Sequence, residues 1–191
     1  MGTDIYGGVE VRKGGVWVAA GVDVGSWRDY DAYGLLFGVR NYAGFEPVAA
    51  SRGFPADAVL RPMTRYPEVH DHSWVTWGEL AQVDWTGPAP RVDDRIHEYE
   101  VTEDGPVYRS KARSHGVRWR AVAGEDADPR GSAYSEGTEW RCGNTVWRVE
   151  RLDRSEVLRR NAELRELLAT MRSLAGEYGE DNVRLVVWFD S

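Results

Sequence analysis

Apolar and polar positions alternate over residues 4–12. Ile5, Gly7, Val9 and Val11 share one side, and Tyr6, Gly8, Glu10 and Arg12 the other, which is the period of a strand. Lys13-Gly14-Gly15 reads as a turn, and Val16-Trp17-Val18 as the returning strand of a hairpin. Asp31 is placed to cap a short helix over 32–39. From 41 to 71 the pattern is lost: Pro47, Pro55, Pro62 and Pro67 break any long element, and Gly44 and Gly53 add turns. A loop of that length in a compact domain is usually functional or mobile. Thr76 and Glu79 then have the spacing of a capping box, flanked by Val75 and Leu80 as a hydrophobic staple, and predict a helix ending near Asp84.

Residues 91–150 read as β-rich. Strands over 96–101 and 106–112 flank the turn Thr102-Glu103-Asp104-Gly105, and 117–123 and 145–150 are further strand candidates. The polar stretch 124–137 reads as a surface loop. A long helix is expected over 154–177: Asp153 and Glu156 have capping-box spacing, and Val157, Leu164, Leu168, Met171 and Ala175 recur in steps of three and four, widened by Leu167 and Leu174. The run 183–189 (Val-Arg-Leu-Val-Val-Trp-Phe) predicts a strand buried on both faces. These elements predict one α+β domain spanning 1–191. Its mixed or mostly antiparallel sheet would hold the N-terminal hairpin and the C-terminal strand, with the long helix packed across it. Loop 41–76 is expected to fold over the sheet edge and carry Arg52, Asp57 and His72 toward Asp4 and Asp190.

Composition narrows the setting. Of 191 residues, 42% are apolar and 29% charged, an ordinary globular balance, and no apolar run nears the roughly 20 residues of a membrane span. The single cysteine, Cys142, forms no internal disulfide, which suits a reducing cytoplasm, and no signal peptide is visible. A net charge of −7 argues against sequence-blind DNA binding. Only Lys13 and Lys111 among the 24 basic residues are lysine, and the 9 Trp outnumber the 4 Phe. Trp17, Trp147 and Trp188 fall on predicted strands and are expected in the core.

Several segments resemble an uncharacterised family of bacteriophage and actinobacterial proteins. That family opens Met-Gly-Cys-Asp-Ile-His, with a first strand ending Val-Glu, and continues with Leu-Phe…Gly-Val-Arg, Arg-Gly-Leu-Pro-x-Asp and His-Ser-x-Ser-Trp-Leu-Thr. It closes on Trp-Phe-Asp-Asn. The counterparts are Met-Gly-Thr-Asp-Ile at 1–5, Val9-Glu10, Leu36-Phe37-Gly38-Val39-Arg40, Arg52-Gly53-Phe54-Pro55-Ala56-Asp57, His72-Ser73-Trp74-Val75-Thr76 and Trp188-Phe189-Asp190-Ser191. Thr3 stands where the family has Cys, Tyr6 where it has His, and one Ser of the His-Ser segment is missing. The resemblance implies a phage-like setting and one compact fold; it brings no established activity.

Four constellations carry candidate chemistry. His70-Asp71-His72 places two imidazoles on one side of an extended segment, a weak metal-ligand spacing that Asp4, Asp57 or Asp190 would complete around a divalent metal. The same segment leads into the capped helix, whose first N–H groups favour an anion, with His72 and Ser73 as donors and Trp74 or Trp77 to stack on a flat ring. Tyr42 is a further stacking candidate. Arg40 and Arg52 offer planar forks for phosphate, against the simpler alternative of structural pairing such as Arg52 with Asp57. Arg109, Lys111, Arg113, Arg118 and Arg120 form an acid-free basic run around Trp119, readable as a single-strand nucleic-acid surface or, more simply, as a solvated sheet edge. Arg159, Arg160 and Arg165 with Glu156, Glu163 and Glu166 read as a solvated helix face.

The leading expectation is capture of a small anionic nucleotide, in a phage setting a sponge for a host immune signal. Arg40, Arg52, Asp57, His72, Ser73, Trp74 and Trp77 would form the site. The alternatives are a phosphodiesterase or related hydrolase with His72 as general acid or base and Asp4 as partner, and a protein-binding inhibitor or structural phage component.

Overall fold

The computed structural model describes residues 2–25, 28–62 and 69–191; Met1 of the opening motif and the proline break at Pro67 lie outside them. The fold is α+β, with every strand pair antiparallel. The chain packs as two compact units, one of residues 1–41, 46–86 and 154–191, the other of 42–45 and 87–153.

The first unit is built on β1 (Asp4–Lys13), β2 (Val16–Asp23), β3 (His70–Thr76) and β8 (Val183–Asp190), in the order β2-β1-β8-β3. The two ends of the chain are therefore neighbours, Asp4 opposite Asp190 and Val11 opposite Val183. Gly7 makes this pairing possible: its φ is +136°, and a Cβ there would lie 2.0 Å from the Val186 carbonyl oxygen. Burial at both faces of β8 explains its near-continuous apolar run. One face of the sheet presents Ile5, Val9, Val11, Leu185, Val187 and Phe189, all buried. Helix α1 (Tyr30–Phe37) sets Tyr33 and Phe37 edge-on against Phe189, with ring centroids 5.2 and 6.0 Å away. Helix α5 (Ala162–Tyr178) buries Leu164, Leu167, Met171 and Ala175, one stripe at helical spacing, and packs on β1 and β8.

Three expectations for this unit change. The cap of α1 is Asp29, whose Oδ1 accepts from the N–H of Asp31 and Ala32; Asp31 is the second helical residue. The helix predicted over 154–177 is two, α4 (Arg154–Arg160) and α5, parted at the buried Asn161. Asn161 Oδ1 caps α5 at Leu164 N (2.7 Å), while its Nδ2 donates to the other oxygen of Asp29 (2.8 Å). One carboxylate thus ties the start of α1 to the break between α4 and α5. Finally, the loop before β3 covers a face of the sheet as well as its edge. Gly53 N–H donates to the His72 carbonyl on the edge strand, and residues 57–60 lie over the face opposite the helices.

That second face contains a buried ion pair. Glu10 and Arg184 sit opposite one another on β1 and β8, fully buried or nearly so. Arg184 Nε donates to Glu10 Oε2 at 2.8 Å, and its guanidinium lies 3.8 Å over the Trp17 ring. Its NH1 donates to Asp57 Oδ1 at 2.8 Å, which holds the Asp57 carboxyl below the usual carboxylate range. The other oxygen of Glu10 accepts the backbone N–H of Val59 and Leu60, both at 2.7 Å. Both oxygens of Glu10 and all three guanidinium nitrogens of Arg184 have partners, the condition under which a buried pair is tolerated.

The second unit is the sheet β5-β4-β7-β6: β4 (Ile96–Thr102), β5 (Gly105–Ala112), β6 (Glu139–Cys142) and β7 (Thr145–Arg148). Residues 117–123, expected as a strand, form helix α3 (Val117–Ala123), and the short strand β6 had no counterpart in the sequence reading. Helix α3 drives Trp119 into a core with Ile96, Trp147 and Val149, closed by Trp140 and Tyr134. Among the described residues Trp119 and Trp147 are the buried tryptophans, while Trp17 and Trp188, expected in the core, are only half-buried. Beside this core His97 lies between two carboxylates, its Nε2 3.1 Å from Asp93 and its Nδ1 3.3 Å from Glu150. Asp93 also accepts both Nε and NH2 of Arg95, and Lys111 Nζ is 3.5 Å away. Burial alone would lower the His97 pKa, but attraction to Asp93 and Glu150 outweighs it and the net shift is upward. Burial pushes Glu150 up, but His97 and Tyr99 overcome it and hold it near 2.

Two outcomes follow. Glu10→Met leaves the Arg184 charge in the interior and two backbone N–H groups unmatched, and is expected to cost about 3–5 kcal/mol in urea unfolding; a cost below about 1 kcal/mol would contradict the strap. His97, with its raised pKa, contributes stability that is complete below about pH 6.5 and is lost as the pH rises through the folded value. Glu150 contributes stability present above about pH 4.5 and lost on acidification toward 2. Unfolding free energy should therefore fall as the pH is raised above about 6.5, and His97→Gln should flatten that limb; a flat limb in the unaltered protein would refute the assignment.

Candidate functional site

The residues proposed from sequence are mostly engaged within the first unit. Arg52 donates to Glu79 Oε2 at 3.0 Å and to the Val48 carbonyl, and lies 5.3 Å over the Trp74 ring. Ser73 is buried and donates to the Ala49 carbonyl. Asp57 is held by Arg184, not by Arg52. Asp4 pairs with Arg28, two hydrogen bonds at 2.8 and 2.9 Å. Trp77 is the first residue of α2 (Trp77–Ala81), a single five-residue turn whose capping box is complete: Thr76 Oγ1 accepts Glu79 N–H, and Glu79 Oε2 accepts Thr76 N–H. Tyr42 belongs to the second unit, where the guanidinium groups of Arg95 and Arg113 lie 5.3 and 5.5 Å from its ring.

The two histidines of 70–72 do not share a side. Asp71 has φ +48°, and the pairing with β8 slips between His70 and Ser73, so three residues of β3 span two of β8. His72 turns to Phe54, ring centroids 4.4 Å apart; burial, with the nearby His70 charge, keeps its pKa below the ordinary imidazole range. His70 turns to Phe189 and to the chain end. Among the described residues no group of three or more His, Cys, Asp or Glu is placed to hold a metal ion, so the donor set considered from sequence does not converge.

A different set does converge, where β1 begins, β8 ends and β3 begins. Asp71 Oδ2 is 2.8 Å from His70 Nδ1, and His70 Nε2 is 2.9 Å from Ser191 Oγ. Ser191 Oγ is 2.8 Å from Thr3 Oγ1, which accepts from Arg40 Nε at 2.8 Å. Thr3 is fully buried and its N–H donates to the Tyr30 hydroxyl; Ser191 is exposed and His70 half-buried.

A guanidinium only donates and a carboxylate only accepts, so the two ends of this chain limit its directions. Thr3 Oγ1 accepts from Arg40, and the assignment that activates the serine sends the Thr3 proton to Ser191 Oγ. With His70 neutral and its proton on Nδ1 toward Asp71, Nε2 accepts from the Ser191 hydroxyl. The result is a nucleophile hydrogen-bonded to a base that is oriented by an acid, the arrangement that activates serine. Asp71 reaches its own neighbour's ring because its backbone is left-handed, a conformation costing a non-glycine residue about 1 kcal/mol or more. Arg40 is likewise left-handed, φ +50°. Of this set Arg40 is read from sequence as a ligand residue and His70, with Asp71 beside it, as part of a possible metal site. Thr3 and Ser191 lie in the two terminal motifs that carried the resemblance, the one sequence signal in which both occur.

The basic run of the second unit is largely neutralised. Arg109 pairs with Glu100, Lys111 with Asp93 and Arg113 with Asp94, while Arg118 donates to the Cys142 carbonyl; Arg120 is exposed. No family model, curated protein or solved structure matches the chain.

Asp71→Gly, which removes the strain and adds unfolded-state freedom in near balance, is expected to change unfolding free energy by less than about 1 kcal/mol. A loss of several kcal/mol in urea unfolding would show that the carboxylate is a structural anchor instead.

Proposed function

We propose that the first unit is a serine-type hydrolase of esters. The observation supporting this reading is the hydrogen-bond chain Arg40–Thr3–Ser191–His70–Asp71, which sets an exposed serine hydroxyl between the buried Thr3 and a histidine–aspartate pair. In the reaction Ser191 Oγ attacks the ester carbonyl carbon as its proton passes to His70 Nε2. The tetrahedral adduct collapses, the C–O bond to the leaving alcohol breaks, and that oxygen takes the proton from His70. Water, deprotonated by His70, then attacks the acyl-Ser191 ester; the acid departs and Ser191 recovers its proton. Asp71 keeps His70 in the tautomer that accepts at Nε2 and stabilises the imidazolium formed in each half.

This assigns the general base to His70, where the sequence had suggested His72, and the acidic partner to Asp71, where it had suggested Asp4. Capture of an anionic nucleotide without chemistry draws less support, because Arg52, Asp57 and Ser73 are engaged within the fold. No helix among the described residues is long and apolar enough to cross a membrane; a cytoplasmic role in a phage setting belongs to the proposal.

A fluorophosphonate ester probe reads an activated serine without knowledge of the substrate. The expected result is labelling at one site, mapped to Ser191 by peptide mass, absent in Ser191→Ala and slowed at least 100-fold in His70→Ala. No labelling, or labelling that His70→Ala leaves unchanged, would overturn the reading.

A further inference from the structure

We infer that Arg40 selects substrates bearing an anionic oxygen group, a carboxylate or phosphate, beside the scissile ester; this rests on the hydrolase reading for its kinetic half and on Arg40 alone for its binding half. Among the arginines around the sheet of the first unit, Arg28 pairs with Asp4, Arg52 with Glu79 and Arg184 with Glu10 and Asp57, while Arg12 and Arg61 bond backbone carbonyls. Arg40 has no carboxylate partner among the described residues, and its one hydrogen bond is from Nε to Thr3 Oγ1. It is also exposed.

A guanidinium presents two edges for paired acceptors, one through Nε and one through its two terminal nitrogens. With Nε fixed on Thr3, the terminal edge remains for a planar or tetrahedral oxyanion, and it stands two hydrogen bonds from Ser191 Oγ. The side chain is carried there by a left-handed backbone two residues beyond Gly38, which closes α1 with φ +76°. Strain of this kind at a cation with no carboxylate partner among the described residues, beside a nucleophile, fits a group pre-set for a ligand. The anchoring hydrogen bond also restricts a side chain that would otherwise lose rotamer freedom on binding.

Two readouts separate this inference from the hydrolase reading. In the first, kcat/KM is compared for phenyl acetate and monophenyl succinate, whose acyl chain carries a carboxylate. The unaltered protein should favour the succinate by 10-fold or more, Arg40→Met should bring the ratio near one, and Arg40→Lys, which keeps charge but not the fork, should fall between. In the second, the Arg40 Nε–H resonance, identified by its loss in Arg40→Met, is followed by NMR as inorganic phosphate is added to the Ser191→Ala protein. A saturable shift is expected. Binding without hydrolysis of either ester would overturn the hydrolase reading and leave anion selection by Arg40 standing. Equal hydrolysis of both esters with no phosphate shift would overturn anion selection alone, and absence of both signals would overturn the two together. Circular dichroism melting of each variant checks that it folds, and if Arg40→Met does not, Arg40→Lys gives the same comparison.

Discussion

The buried pair Glu10–Arg184 is the constraint on which the first unit depends. A carboxylate and a guanidinium placed opposite one another on β1 and β8 are tolerable only if every oxygen and N–H is matched. The match is completed by the chain itself: Asp57 takes one guanidinium nitrogen, Trp17 covers the plane, and the N–H groups of Val59 and Leu60 take the second carboxylate oxygen. The loop is thereby drawn across the sheet, and Gly53 is pinned to the edge strand at His72. A polar requirement in the middle of an apolar sheet thus determines where an otherwise irregular segment lies.

The same economy of partners gives the candidate site its character. Among the described residues Arg28, Arg52 and Arg184 are matched by carboxylates, whereas Arg40 bonds a threonine hydroxyl that in turn lies beside a serine within hydrogen-bond distance of a histidine. The ends of the chain meet because β1 and β8 are neighbours, and the relay forms at that seam. Strained backbone at Arg40 and Asp71 delivers the two charged ends to it. Asp93, His97 and Glu150 of the second unit make a useful contrast. There an imidazole between carboxylates is almost wholly buried, out of reach of any substrate, and acts on stability.

Much of the fold was legible in the sequence where the pattern reports burial directly. The alternation at 4–12, the apolar run at 183–189, the 96–112 hairpin and the Thr76–Glu79 capping box all appear as read. The failures have physical reasons. In α3 only Trp119 is buried, and Val117 is 82% exposed, so no helical stripe exists to be seen and the alternation of 117, 119, 121 and 123 mimics a strand. The break at Asn161 interrupts a stripe that otherwise runs on, and its partner Asp29 lies 132 residues away. Asn161 therefore looks like one more polar position on a helix. The site suffered from the same non-locality. Reading His70 and His72 as a pair assumes a regular strand, and the left-handed Asp71 breaks it. Ser191, a polar residue at the end of a buried strand, carries no local signal; its meaning comes from Thr3 and His70, which only the sheet brings to it.

The account turns on the direction of the protons between Arg40 and Asp71, and the tautomer of His70 reports it. With the imidazole neutral, side-chain nitrogen-15 NMR should place the His70 proton on Nδ1, facing Asp71, with Nε2 bare toward Ser191. A proton found on Nε2 instead would reverse the chain, leave Ser191 without a base, and contradict the account.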